Sequence, residues 1–317
     1  MLDRSFFSAF RIHVSLLAFV TGAWAPPALP ATELDEIVVT AQKREQSLQE
    51  VPLAVSAFSG EFLESLQLFS TDDLSQVTPT ITVLGAATSQ NQVLRIRGIG
   101  TQSFGAAVEP SVSLVIDGVV LARQSQGFQD LLDIERIEVL RGPQSTLFGK
   151  NASAGVIHFI SRRPSEEFEA TGEVTVAEEG EYRIGASVSG PLSATSGYRL
   201  TGYYRDIGAY FDNAFDGSGT NSKEHWGFRG KLEFEPADEL SILFSADYKK
   251  EDDNCCQPAV AQTFGPTAAE YESVVAPAVV SKDSTSVNVD APVFNKTDDW
   301  GVSVQVDYDL EWATLTS

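Results

Sequence analysis

Cysteine is nearly absent: Cys255 and Cys256, adjacent in DDNCCQPA, are the only two in 317 residues. Adjacent cysteines close on each other only through a strained ring, and there is no C-x-x-C spacing for a metal. Histidine is as scarce, with His13, His158 and His225 far apart in the chain. No Ser/His/Asp, zinc or phosphate-loop spacing can be assembled from them, so no enzyme, metal site or cofactor is expected. Basic residues are few: 22 Lys and Arg stand against 44 Asp and Glu, a formal charge of −22. A nucleic-acid partner is thereby excluded, since a phosphate-binding face needs excess cations. Long hydrophobic runs are also lacking. A membrane helix needs ~20 apolar residues, and VSLVIDGVVL (112–121) is broken by Asp117 and Gly118. The chain therefore either stays in water or enters a membrane as strands, for which a closed barrel is the alternative to helices.

The N-terminus reads as an export signal over residues 1–25. Arg4 and Arg11 precede the short apolar run VSLLAFV (14–20), and Ala23 and Ala25 follow it. Pro26 would hinder a peptidase after Ala25, so cleavage as late as residue 31 is allowed. In an oxidising compartment the cysteine pair favours a loop staple, or pairing outside this chain, over metal binding.

Residues 26–49 read as a polar, flexible segment with Pro26, Pro27 and Pro30 ahead of EIVVTA, residues Glu36, Ile37, Val38, Val39, Thr40 and Ala41. Six extended, mostly apolar residues with no core of their own are suited to adding as a strand to another protein's sheet edge. From 50 to 164 the pattern is mixed α/β. Phe62, Leu63, Leu66 and Phe69 recur at helical spacing, with Thr71 as the cap of a short second helix. Strands are expected at 80–84, 93–97, 112–116, 136–141 and 156–161, and Asp117-Gly118 reads as a structural type I′ turn. Glu135, Arg136 and Glu138 read as internal ion pairs.

From 165 to 317 apolar and polar residues alternate in about seven strand-length segments: 168–177, 182–191, 198–205, 225–234, 240–249, 300–308 and 310–315. Trp226, Phe228, Leu232 and Phe234 would share one face, and Arg229, Lys231, Glu233 and Glu235 the other. Short turns (SATSG, PADE) alternate with long polar loops, the plan of an outer-membrane barrel. Tyr203, Tyr210, Phe211, Trp226, Tyr248, Trp300 and Trp312 would suit an interfacial girdle. A secreted β-sandwich, in a periplasmic binding or structural protein without transport activity, alternates in the same way.

The blocks LRIRGIG, VSLVIDGV and IERIEVLRGPQSTLFGKNASAGVIHFISRRP, in that order after EIVVTA, resemble the TonB-dependent outer-membrane receptors. The resemblance implies an α+β plug domain followed by an antiparallel transmembrane β-barrel, with EIVVTA as the TonB box. It implies energised import of a ferric siderophore or similar scarce nutrient, with the TonB protein of the inner membrane and outer-membrane lipid as partners. By the same resemblance Arg97 and Arg141 match plug arginines that pair with glutamates on the barrel wall. The glycine-containing loop at Gln102, Ser103 and Phe104 is placed at the ligand-facing apex. The departure is length: about seven strands cannot close the 22-stranded barrel of that family, so the barrel is expected to be incomplete and the chain a fragment or truncated product. The box follows the leader almost directly, leaving no room for the signalling domain of the family's transducers.

Overall fold

The computed structural model describes residues 37–44, 46–84, 92–101, 108–127, 130–177, 180–254, 262–263, 267–291 and 294–317. Two short strands open it, β1 (Val38–Val39) and β2 (Gln46–Ser47), paired antiparallel. β3 (Val55–Ser59) runs into α1 (Gly60–Ser65), whose first turn is capped by the Ser59 hydroxyl accepting from Phe62 N–H. The helix is shorter than the apolar spacing predicts: Gln67 turns to φ 56°, and Phe62 and Leu66 stay exposed while Leu63 is buried. A single 3₁₀ turn (Thr71–Asp73) then leads into α2 (Leu74–Val77). Its cap is Ser70, not Thr71. The Ser70 N–H and hydroxyl both donate to Asp73 Oδ2 at 2.9 Å, whereas the Thr71 hydroxyl donates to the Gly127 carbonyl.

β4 (Ile81–Leu84) and β5 (Val93–Ile96) form a separate antiparallel pair. The remaining strands of this domain are β6 (Val112–Ile116), β7 (Val119–Val120), β8 (Ile134–Arg141) and β9 (Gly155–Ser161), with α3 (Ser145–Phe148) between the last two. They assemble with β3 in the order β3-β8-β9-β6-β7, in which β9 and β6 are parallel and the other neighbours antiparallel. Asp117 (φ 46°) and Gly118 (φ 83°) make the β6–β7 turn with both residues left-handed, as a type I′ hairpin requires.

A sheet buried on both faces needs apolar residues at both parities, and this one has two cores. Leu114, Ile137, Val139, Ile157 and Phe159 lie in one with Leu63, Leu74 and Leu94. Val115, Leu140 and Val156 point the other way, against Val39, Ala41, Val51, Phe148 and Ala152.

The second sheet contains, among the described residues, β10 (Glu169–Ala177), β11 (Glu181–Ser193), β12 (Ser196–Ile207), β15 (Ser222–Ala237), β16 (Leu240–Asn254), β18 (Asn295–Asp309) and β19 (Thr314–Thr316), antiparallel in chain order. These are the expected segments, several of them longer than expected, up to 16 residues in β15. The sheet does not close on itself among the described residues. Between its strands, β13 (Phe211–Asn213), β14 (Gly219–Thr220) and β17 (Ser286–Val287) tie the two long connections together; α4 (Ala268–Val275) lies in the second. Asn213 fastens that junction by exchanging two hydrogen bonds with the Val289 backbone, at 2.9 and 3.0 Å.

Candidate functional site

The segment 37–41 is not free. β1 pairs with β2 through Val38↔Ser47 and Val39↔Gln46, and Leu48 N–H donates to the Ile37 carbonyl at 2.9 Å. Val39 and Ala41 are 0% exposed and complete the second core. The expectation of a segment with no core to join is therefore corrected for these residues: alternation sends Val39 and Ala41 down onto the sheet and leaves Val38 outside, while Ile37, of the same parity as Val39, stays exposed ahead of the strand. Burying one valine is worth roughly 1.5–3 kcal/mol, a small enough hold to be reversible.

Between Val39 and Ala41 the chain meets Glu138. Its carboxyl is fully buried, and Oε1 accepts from the Thr40 N–H at 2.7 Å, the Thr40 hydroxyl at 3.2 Å and Arg136 Nε at 2.9 Å. Arg136 also pairs with Glu135, so these three residues do form internal ion pairs. All three donors fall on one oxygen. Glu138 Oε2 has no hydrogen-bond partner among the described residues. Directly across the β8–β9 ladder lies His158, with Nδ1 at 4.0 Å from Oε2. Its other nitrogen, Nε2, accepts from the Gly118 N–H at 3.1 Å. Burial is the main cause that holds the His158 imidazole down to about 4, only partly opposed by Asp117, so at neutral pH it is uncharged with its proton on Nδ1.

Most ion pairs between the α+β domain and the seven-stranded sheet put the acid on the domain side and the cation on the sheet side; Arg163, which reaches Glu233 at 3.0 Å and Asp307 at 3.6 Å, is the reverse. Arg199 on β12 grips Asp133 bidentately, at 2.7 and 2.5 Å, with both side chains buried. Arg205 reaches Asp130 at 3.2 Å, and His225 bridges Asp253 at 2.8 Å and Asp130 at 3.7 Å. Lys231 meets Asp117 Oδ2 and the Ser161 carbonyl, each at 3.0 Å. Burial alone would raise the Asp117 carboxyl, but Lys231, Arg229 and two bonds from Ser161 hold it below the ordinary carboxylate value. Arg183, 1% exposed, covers the Phe69 ring at 4.4 Å and donates to the Phe69 carbonyl.

These cations share one parity on the polar face of the sheet, while the opposite face is apolar and open. Trp300, Val302, Val174 and Val176 on that face are 68–74% exposed. Phe228 stacks on Tyr248 at 5.7 Å, and Phe234 meets Phe244 edge to face at 6.1 Å. Tyr203 departs from the expected girdle. It sits at the parity of Thr201 and Arg205 and lines a ~140 Å³ cavity with Asp117 and Asp130 between sheet and domain. Arg141 donates to the Ala54 and Val55 carbonyls at 3.3 and 3.2 Å, and Arg97 is exposed at φ 54°. Glu36, Gln102, Ser103, Phe104, Cys255 and Cys256 lie outside the described residues. The contacts that sequence reasoning missed are Asp130, Asp133 and their cations. The signal available for them was charge at alternate positions on strands whose other face is apolar.

The model of the TonB-dependent receptor plug domain matches residues 47–156. An iron-regulated outer membrane virulence protein of Vibrio cholerae is 32% identical over 206 residues, covering 59% of this chain and 30% of the relative. The pesticin receptor of Yersinia pestis is 29% identical over 158 residues, covering 49% of this chain and 23% of the relative. Among solved structures, the ferric yersiniabactin uptake receptor of Yersinia pestis superposes with a TM-score of 0.68 at 19% identity, covering 82% of this chain and 39% of that one. The ferripyoverdine receptor of Pseudomonas aeruginosa gives 0.69 at 20% identity, covering 86% and 34%. The chain thus spans about a third or less of the length of the curated relatives it matches. Residues 47–156 match the plug domain of the TonB-dependent receptors, and the antiparallel sheet that follows has the fold of strands in the solved receptors.

Proposed function

We propose that this chain serves energised import through the outer membrane, with residues 50–164 as the plug and 165–317 as part of the barrel wall. The cargo is a ferric siderophore or a similar scarce nutrient. Residues 1–25 would direct export, with cleavage as late as 31, and Glu36 to Ala41 would be the strand taken by the TonB protein. Carrying the reading is the state of that strand. It is held by a two-residue pairing, two small buried side chains and one carboxylate, so it can be withdrawn without unfolding the main plug sheet. The relatives and neighbours are named as an iron-regulated outer membrane virulence protein, a pesticin receptor and a ferric yersiniabactin uptake receptor, which supports the same assignment. Exposed Trp300, Val302 and Val174 suit a lipid-facing wall better than a periplasmic surface. Arg97 and Arg141 stay proposed as plug-side partners of wall glutamates, and Gln102, Ser103 and Phe104 as apex contacts.

The decisive experiment deletes residues 36–41 at the native locus and follows uptake of iron-loaded siderophores. Loss of uptake with an unchanged amount of protein in the outer-membrane fraction is expected. Undiminished uptake would overturn the import reading, and recovery of the protein as a soluble periplasmic species would favour the secreted alternative.

A further inference from the structure

Glu138 is a one-sided carboxylate. Three donors crowd Oε1, two of them from Thr40 of the N-terminal strand, and Oε2 has none among the described residues. Withdrawing the strand would take two of the three donors from this carboxylate and leave it with Arg136 alone, and a charge-assisted bond that is not replaced costs stability. The fold places a replacement opposite it. His158 is 6% exposed, its Nδ1 has no partner among the described residues, and it lies 4.0 Å from Oε2, too far to bond now. Its orientation is set from behind, because the Gly118 N–H occupies Nε2 and so leaves the proton on Nδ1.

We propose that Glu138 and His158 form an exchange switch in the plug: Glu138 retains the N-terminal strand through Thr40, and His158 takes over the carboxylate when the strand leaves. The inference rests on the reading of 36–41 as a strand that is pulled, and it assigns positioning roles, since neither side chain touches cargo. A movement of about one ångström converts the 4.0 Å approach into a hydrogen bond. The two residues therefore act in opposite directions on one equilibrium. Glu138 stabilises the docked strand, and His158 stabilises the released state.

The test uses the chain expressed with its own leader, carrying Cys255→Ser and Cys256→Ser, and a single reporter thiol at Val39→Cys. Val39 is 0% exposed, so its maleimide labelling in isolated outer membranes, without TonB or cargo, reads how often the strand leaves. Glu138→Ala is expected to raise the labelling rate about tenfold or more, as loss of a charge-assisted bond implies. His158→Leu is expected to lower it severalfold, and His158→Gln, which keeps an acceptor and a donor, to stay near the parent. A rise in His158→Leu matching that of Glu138→Ala would make His158 a packing residue and overturn the switch, as would an unchanged rate in Glu138→Ala. A second reporter, Leu94→Cys in the other core, must stay protected. Where Glu138→Ala exposes it as well, Thr40→Val replaces that variant. A severalfold rise with Leu94→Cys protected supports the proposal, and no rise overturns it. Because labelling is read without transport, the switch can stand when the import reading fails, and the reverse.

Discussion

Glu138 sits inside IEVL, where an acid between Ile137 and Val139 faces the opposite way from both. Period-two alternation makes that face legible in the sequence, and the neighbouring Arg136 marks an internal ion pair. What the sequence hides is that Val39 and Ala41, about a hundred residues earlier, close over the acid, because a long-range contact leaves no local period. His158 is similarly hidden, since a lone histidine in VIHFIS reads as a strand residue and its partners come from the β6–β7 turn and from β8. Its burial has a measurable consequence. The groups facing it are Glu138, Asp117, Lys43 and Arg136, and burial prevails, placing the folded value at about 4 against 6.5 for the free side chain. Between these values the unfolded chain binds a proton that the folded one does not. Stability is therefore full above pH 6.5 and falls as the pH drops toward 4, by at most on the order of 3 kcal/mol. Protease resistance of the plug, compared at pH 7 and pH 4.5, is expected to drop more in the parent than in His158→Gln. An equal drop in both would show that His158 does not supply the slope.

At the scale of elements, strand positions were the most legible feature, since a two-faced sheet imprints its alternation on the sequence and a plug strand its apolar run. Trp226, Phe228, Leu232 and Phe234 do share a face opposite Arg229, Lys231 and Glu233, and the β15–β16 register confirms it through Phe228↔Tyr248 and Leu232↔Phe244. Element ends were less legible. α1 stops early because Gln67 adopts a left-handed conformation, which helical spacing of Leu66 and Phe69 does not announce. The AGVI block has a plain physical basis. Gly155 begins β9 at φ 154°, where an added Cβ would lie 2.4 Å from the Leu140 carbonyl and 2.8 Å from Ile96 Cδ1. Neither the backbone carbonyl nor the buried isoleucine can yield without moving β8 or the first core. Gly155→Ala is expected to cost about 2–4 kcal/mol, the range of overpacking plus backbone strain. The plug should then be cleaved by protease at lower urea, while Gly172→Ala on β10, whose added Cβ would meet the Gly185 carbonyl at an ordinary 3.9 Å, serves as the neutral comparison. Equal resistance of the two would remove the steric argument.

For the molecule as a whole, the proposed function turns on how the plug is held against the sheet. The resemblance implied arginines on the plug and glutamates on the wall; Arg163 does meet Glu233 in that sense at 3.0 Å, and beside it pairs of the opposite sense join Asp117, Asp130 and Asp133 to Lys231, Arg205 and Arg199. A hydrophobic seal would stay favourable however the plug shifted, since apolar contact has no preferred direction. Paired charges hold only at their own geometry, and each can be broken separately. Burial makes such a pair asymmetric in its energetics: losing one partner costs about 3–5 kcal/mol, whereas replacing both by apolar groups is near neutral. Arg199 and Asp133 are the sharpest case, bidentate and nearly solvent-free. Asp133→Leu alone should weaken plug retention strongly, because Arg199 would keep only Glu169, at 3.7 Å, and neighbouring Ser187 and Arg163 oxygens. Arg199→Leu combined with Asp133→Leu should recover most of the loss in a urea titration of plug protection in outer membranes. Additive losses in the double variant would mean that the pair contributes as two independent side chains. Retention of the plug would then rest more on the pairs of Lys231 and Arg205.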